Sequence, residues 1–393
     1  MKEQTDKVKP LYSLAEITTY FLKLGTWGFG GPVALVGYMQ RDLVEQKGWL
    51  SEEDYKEGLA LAQLAPGPLA AQLGIYIGFV HYGLIGATLT GLAFVLPSFI
   101  MVVLLGMAYQ LYGGLAWMQA VFYGVGAAVI GIITMSAYKL TIKSISKLNL
   151  AAIKSKWLLW VFYIIGIVVT VVTEREEILL FLACGILYML IKAPPQWIKK
   201  PSTLPAGILF STGFWHYDSK TLQDIGWFFV KAGTFVFGSG LAIVPFLHGG
   251  VVNQFGWLTE GQFVDSVAVA MITPGPVVIT VGFIGYLVAG FPGACVAALA
   301  TFLPCYIFTV ALAPSFKKIA KNNSVKTFVE GITAAVIGAL VGSVIVIGMR
   351  SIKDIPTALI AIAAILALIY IKKLHEPYII GVAAIIGLLI KFI

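Results

Sequence analysis

Residues Gly58–Tyr138 read GLALAQLAPGPLAAQLGIYIGFVHYGLIGATLTGLAFVLPSFIMVVLLGMAYQLYGGLAWMQAVFYGVGAAVIGIITMSAY, without one Asp, Glu, Lys or Arg. A membrane-spanning helix takes about 20 apolar residues, so this stretch alone supplies two or three spans. A second uncharged run extends from Ser266 to Ser315. The whole chain is 59% hydrophobic and 12% charged, against about 25% charged for an ordinary soluble domain. These features exclude a soluble enzyme, a secreted domain and a disordered chain. The apolar residues run on continuously instead of alternating, which argues against a transmembrane β-barrel. The chain reads as an all-α polytopic membrane protein.

Working outward, the uncharged stretch contains half of an internal repeat. Gly48-Trp49-Leu50 returns as Gly256-Trp257-Leu258, and Pro66-Gly67-Pro68 as Pro274-Gly275-Pro276, both 208 residues on. The same spacing aligns Lys23 with Lys231, Gly25 with Gly233, and Gly30 with Gly238. Ala127 to Gly131 recurs letter for letter as Ala334 to Gly338. Ordered matches over this distance mark a duplication: a first repeat at 11–191, a polar linker at 192–220 and a second repeat at 221–393.

Apolar segments fall at 11–40, 58–80, 84–108, 117–139, 157–173 and 178–191 in the first half. In the second they fall at 222–247, 264–290, 292–315, 327–349, 355–371 and 377–393. The first two of each half carry Gly clusters or Pro-Gly-Pro, so broken or re-entrant helices are expected at the centre. In the first half, lysines (Lys139, Lys143, Lys147, Lys154, Lys156) follow the fourth segment; in the second, Lys317, Lys318, Lys321 and Lys326 follow the third. Positive loops face the cytoplasm, so the two halves are expected to have inverted topology, as in many secondary transporters. Six crossings per half would instead make the halves parallel. At least one segment per half must then be re-entrant or too short, with 178–191 the candidate.

The net charge of +8 is read as membrane orientation, with the lipid bilayer as partner and no nucleic acid. Met1 to Pro10 lacks the features of a removable signal, so the first apolar segment is expected to direct insertion into a cell membrane, inner or plasma. Cys184, Cys295 and Cys305 sit in apolar segments and read as packing residues. The histidines lack zinc-ligand spacing, so no metal and no cofactor are expected. A homodimer is compatible with these features.

Pro-Gly-Pro inside an apolar segment leaves backbone carbonyls unpaired, tolerable only where protein or a water-filled cavity satisfies them. Proline also suits the first turn of a new helix. Pro68 and Pro276 are therefore read as starting half-helices whose free N–H groups (Leu69, Ala70, Ala71; Val277, Val278, Ile279) face a cavity. Helix N-termini attract anions, so two such ends would form a symmetric cradle. The alternative is a proline kink without a ligand. Gln63 and Gln72 flank the first break, and Thr273 and Thr280 the second; they offer neutral donors to a ligand or hydrogen bonds within the bundle. Lys23 and Lys231, related by the repeat, either serve the ligand or snorkel to the headgroups. Gly30-Gly31 and Gly238-Ser239-Gly240 lack the context of a dinucleotide site and read as further cavity-lining turns. Asp265 is open to two readings, proton coupling or a helix-start role.

The residues Phe21-Leu-Lys-Leu-Gly-Thr-Trp-Gly-Phe-Gly-Gly, Gly48-Trp-Leu and Gln63-Leu-Ala-Pro-Gly-Pro, with their second-half counterparts, resemble the chromate ion transporter family in its long, two-domain form. The resemblance covers both halves, most strongly residues 20–100 and 228–308. It implies export of chromate from a bacterial cytoplasm, with chromate resistance, and sulfate as a related oxyanion. It singles out Gly30, Gly31, Trp49, Gln63, Pro66, Gly67 and Pro68, then Gly238, Gly240, Trp257, Thr273, Pro274, Gly275 and Pro276. Ser239, Met271, His248 and Gly249 depart from the family pattern. The rival readings are transport or exchange of sulfate or another oxyanion, and an intramembrane enzyme. An enzyme would need His, Asp or Glu clusters at membrane depth, which the uncharged runs argue against.

Overall fold

The structure is a computed structural model that describes residues 11–146, 150–174, 177–194, 219–234, 240–316, 322–371 and 375–392. Among the described residues there are helices and no strands. In chain order the principal helices are α1 (Leu14–Trp27), α2 (Gly31–Met39, continuing as a π-helical stretch Gln40–Gln46), α3 (Glu52–Leu64), α4 (Leu69–Tyr112), α5 (Ala116–Ser144), α6 (Leu150–Ser155), α7 (Trp157–Thr173) and α8 (Ile178–Lys192). The second series is α9 (Ser219–Thr234), α10 (Ile243–Leu247, continuing as a π-helical stretch His248–Gln254), α11 (Glu260–Ile272), α12 (Thr280–Leu312), α13 (Asn323–Ser351), α14 (Ile355–Tyr370) and α15 (Glu376–Phe392). The duplication seen in the sequence is thus repeated in the elements: α3 and α11 both have 13 residues, and α5 and α13 both have 29.

As a straight rod the 44 residues of α4 would measure about 66 Å, twice the roughly 30 Å of a bilayer's hydrocarbon core. The run folds back on itself at Gly83 (φ 59°, ψ −146°), a conformation that glycine reaches without a Cβ penalty. Thr90 Oγ1 on the far side of the turn donates to Gly74 O at 2.9 Å, and Gly78 and Gly86 touch backbone to backbone. Gly290 (φ 61°, ψ −155°) does the same in α12, bringing Gly285 onto Gly293.

The first two broken segments of each half are helical hairpins. In the first, α1 and α2 meet at Gly28–Gly31 and return to the same end, where the Tyr12 and Trp49 rings stack at 5.0 Å. In the next, α3 and the start of α4 meet at Pro66-Gly67-Pro68; the Tyr76 ring occupies the space where Gly58 would carry a Cβ. The second half matches it, with Thr280 Oγ1 donating to Ser266 O at 2.9 Å. The polar bases of these hairpins are capped: Ser13 with Glu16, Ser51 with the Asp54 amide, and Thr259 with Gln262. The segment 178–191 forms most of α8, a 15-residue apolar helix laid along α13. Its apolar face ends in ordinary helix–helix packing, with Gly185 and Cys184 against Phe328, Gly331 and Ile332.

The last two helices of each series pack on the long helix of the other. α7 and α8 cover α13, whereas α14 and α15 cover α5. Small residues permit backbone approach at these crossings: Gly124 against Ala383 and Gly387, and Gly338 against Tyr163. At the centre the arm of α4 after Gly83 and the arm of α12 after Gly290 run in opposite directions: Thr88 Oγ1 lies 2.8 Å from Tyr306 OH, and the Phe99 and Phe291 rings meet at 6.4 Å.

Candidate functional site

The hairpin tips converge on a cavity of about 740 Å³. Gly28 to Pro32 line it from the first tip, Gln63 and Leu69 from the second, and Thr273, Gly275 and Val277 from the Pro-Gly-Pro turn of the other half. The N-terminus of α2 opens here: Gly30 caps it in a left-handed conformation with no side-chain hydrogen bond, and Pro32 occupies its first turn. Leu69 begins α4 directly after Pro68, again with no side-chain cap. Two helix starts with uncapped amides thus border one space, and partial positive charge accumulates there.

Hydrogen bonds from backbone and side chains tie the tips together. Gly275 N–H donates to Gly28 O at 2.9 Å, tying the second-half turn to the first-half break. Ser98 Oγ, from α4, donates to Pro274 O at 2.8 Å and lies 3.3 Å from Gly25 O. Gln72 Nε2 donates to Pro66 O at 2.8 Å. These bonds satisfy carbonyls that the prolines leave unpaired. Gln72 and Thr280 are fully buried and outside the cavity wall, where they hold the turns and do not reach a ligand. Gln72 Oε1 is buried without a partner. Thr273 does line the cavity, its hydroxyl donating to Val269 O at 2.7 Å.

The two Pro-Gly-Pro turns are followed by different local structure. After Pro276 the chain takes a tight 3₁₀ turn, Val277–Ile279, in which Ile279 N–H donates to Pro276 O at 2.9 Å. Val278 and Ile279 are buried, as are Ala70 and Ala71, so each turn presents one residue to the cavity, Leu69 or Val277. Pro66, Gly67, Pro68, Pro274 and Pro276 shape the turns without lining the cavity, and Gly240 packs on Val277 and Val278. Gly238 and Ser239 lie outside the described residues.

Lys23 and Lys231 are not brought together at the cavity. Lys23 is exposed and absent from its wall. Lys231 stands over the Trp227 ring, 5.1 Å from its centroid, beside a separate cavity of about 310 Å³ that also holds Asp224 and Glu177. The lysines that do line the large cavity are Lys139, Lys143 and Lys326, with Glu330 and Glu376 as the acidic residues. Ile132, Ser136, Lys139, Leu140 and Lys143 form one stripe of α5; Lys326, Glu330, Thr333 and Ile337 form a facing stripe of α13. That helical spacing was the available sequence signal, hidden because these lysines also read as loop charges.

Asp265 is within α11, buried, and accepts a hydrogen bond from Tyr109 OH at 2.7 Å. The helix start is held by the Thr259–Gln262 capping box, so Asp265 has no capping role. All three cysteines are free. Among the described residues no group of three or more His, Cys, Asp or Glu is placed to hold a metal.

Uninterrupted apolar helices of membrane length, broken hairpins and an interior cavity at their tips define a multi-pass membrane protein of the transport class. The chromate transporter family profile matches residues 15–189 and 223–388. The chain is 61% identical over 387 residues to the chromate transport protein of Cupriavidus metallidurans, covering 96% of this chain and 94% of that one. It is 59% identical over 389 residues to a probable chromate transport protein of Synechococcus elongatus, covering 97% of each. A chromate transport protein of Pseudomonas aeruginosa is 28% identical over 406 residues, covering 98% of this chain and 94% of that one. No solved structure matches. The chain belongs to the chromate transporter family.

Proposed function

We propose that the protein is a secondary carrier exporting chromate from the cytoplasm by alternating access, thereby giving resistance to it. The observation that carries this reading is the cavity itself. The first residues of α2 and α4 line it together with Thr273, Gly275 and Val277 of the other half, and Lys139, Lys143 and Lys326 stand along its wall. At roughly 30 Å³ per water, the 740 Å³ space accepts a hydrated tetrahedral dianion. The binding set is Gly30, Gly31, Gln63, Leu69, Thr273, Gly275 and Val277 with the three lysines; Lys23 and Lys231 are left outside it.

The proposed halves, 11–191 and 221–393 about the 192–220 linker, have opposite orientations. The antiparallel pairing of the α4 arm after Gly83 with its repeat partner, the α12 arm after Gly290, supports this, because helices equivalent by the repeat can run oppositely only about an axis across them. The cavity lysines lie toward the end that also carries Lys154, Lys156 and Lys192, and positive residues favour the cytoplasm. In this reading the cavity is open inward. A dianion leaving a cell negative inside gains about 2.3 kcal/mol per charge per 100 mV, so the membrane potential suffices to drive export.

Flux of labelled chromate and labelled sulfate into everted membrane vesicles tests the proposal. Chromate uptake that rises with an imposed potential is expected. Sulfate flux without chromate flux would move the assignment to sulfate, and no flux of either would end it.

A further inference from the structure

At the end of the bundle away from the cavity lysines, one arginine ties both halves together. Arg350, at the end of α13, donates through Nη2 to Glu174 Oε2 and through Nη1 to Glu260 Oε1, and Nη1 also reaches Asn253 Oδ1 at 3.3 Å. Asn253 Nδ2 donates in turn to Glu174 O at 2.9 Å. Buried His248 lies 2.8 Å from Glu260 Oε2 through its Nε2. Glu174 closes α7, and takes a positive φ of 53°, which costs a non-glycine residue free energy unless the surroundings hold it. Glu260 begins α11, the hairpin arm that ends at Thr273 and the second Pro-Gly-Pro. The arginine network therefore fixes the base of a cavity-forming helix to two others.

The repeat places a second set of residues at the cavity end. Arg350 corresponds to Lys143, Glu260 to Glu52, Asn253 to Glu45 and His248 to Gln40. Both ends thus carry one cation on the long helix and a carboxylate at the start of the hairpin arm. In this structure only the Arg350 set is assembled. Lys143 lines the open cavity, and Glu52 is paired within its own helix to Lys56 at 2.7 Å.

From this asymmetry we infer that the two sets are alternately closed gates: the Arg350 network seals the far end while the cavity is open, and Lys143 pairs with Glu52 and Glu45 when the cavity closes. This deepens the alternating-access reading and rests on it. Two equivalent halves can exchange conformations, so the contact made at one end predicts the contact made at the other in the opposite state. Lys143 has one further property: an oxyanion in the cavity competes with Glu52 for it, so bound cargo holds the inner gate open.

The test is a bifunctional maleimide applied to Lys143→Cys/Glu52→Cys, with each single-cysteine chain as control and no substrate present. Adding Arg350→Gln removes the far gate and shifts the population towards the inner-closed state; the cross-linking rate is expected to rise about tenfold. Glu174→Gln, which removes one carboxylate of two, is expected to raise it less, in the same direction. An unchanged or lower rate in both the Arg350→Gln and Glu174→Gln chains, with monodisperse protein, overturns the gate pairing. Because the cross-link is scored without transport, its failure is separate from failure of chromate flux in wild-type vesicles.

Discussion

Replacing Gly275 by Ala perturbs the junction between the halves at a single atom. Gly275 has φ of 95°, and a methyl built on it falls on Ser98 Oγ. The positive φ costs an L-residue about 1–2 kcal/mol. The Ser98 hydroxyl must also leave Pro274 O, losing a hydrogen bond worth about 1 kcal/mol, and residual overpacking adds about 1 kcal/mol. Gly275→Ala is thus expected to cost about 3–4 kcal/mol in all, within the range of severe point substitutions. Ser98→Ala alone loses only the hydrogen bond, about 1 kcal/mol. In the double variant the clash with the hydroxyl is gone, the methyl lying 3.2 Å from the residue 98 Cβ, and the bond is lost once, leaving about 2–3 kcal/mol and a favourable coupling of about 2 kcal/mol between neighbouring sites. Thermal unfolding in detergent, followed with a thiol-reactive dye, reads the order directly because Cys184 and Cys305 are buried until the bundle opens. The expected midpoints fall from Ser98→Ala through the double variant to Gly275→Ala. If the double variant is less stable than Gly275→Ala by the full cost of Ser98→Ala, the methyl does not act through Ser98, and the account of this junction fails.

Replacing Lys139, Lys143 or Lys326 by Gln is expected to raise the half-saturating chromate concentration about threefold to tenfold each, as for solvated charges worth about 1 kcal/mol, with a smaller effect at high ionic strength. Unchanged saturation in the triple variant would remove the lysines from the binding set. Lys23→Ala and Lys231→Ala are expected to keep wild-type half-saturation; a large rise in either would return that lysine to the site. Gln72→Leu is expected to lower the unfolding midpoint by leaving the Pro66 carbonyl unpaired, a cost of about 1–3 kcal/mol, and an unchanged midpoint would show that the bond contributes nothing. Cysteines introduced at Ser146 and Ser315 are expected to label from the same membrane face; labelling from opposite faces would rule out inverted halves.

The breaks were legible because proline and glycine are costly inside an apolar helix, so Pro66-Gly67-Pro68 and its repeat stand out from their surroundings. The segment boundaries near Gly83 and Gly290 were visible for a similar reason. That each broken segment is a hairpin was not: the pairing of Tyr12 with Trp49, or of Gly58 with Tyr76, depends on contacts across a turn that the pattern along the chain does not encode. The two Pro-Gly-Pro turns differ in a way the repeat does not encode, because Gln72 and Thr280 occupy matching positions with different reach. Gln72 bonds its own turn at Pro66, whereas Thr280 bonds Ser266 in the facing arm. Lys23 and Lys231 drew attention by standing alone in apolar sequence, but isolation along the chain says nothing about which side of a helix faces the interior. Lys139 and Lys143 had the opposite history, ordinary as loop charges and informative once α5 was seen from its cavity face.

The exchange of terminal helices between the halves bears on how the chain is made. α5 is complete once residue 144 has been synthesised, but the helices that cover it, within residues 355–392, are made after every other helix described above. Until then its small-residue face, around Gly124 and Gly131, is open to lipid or to the translocation machinery. The first half cannot finish folding ahead of the second, so biogenesis is a commitment of the whole chain. A truncation before α14 therefore leaves the earlier half unfinished as well as shortening the later one.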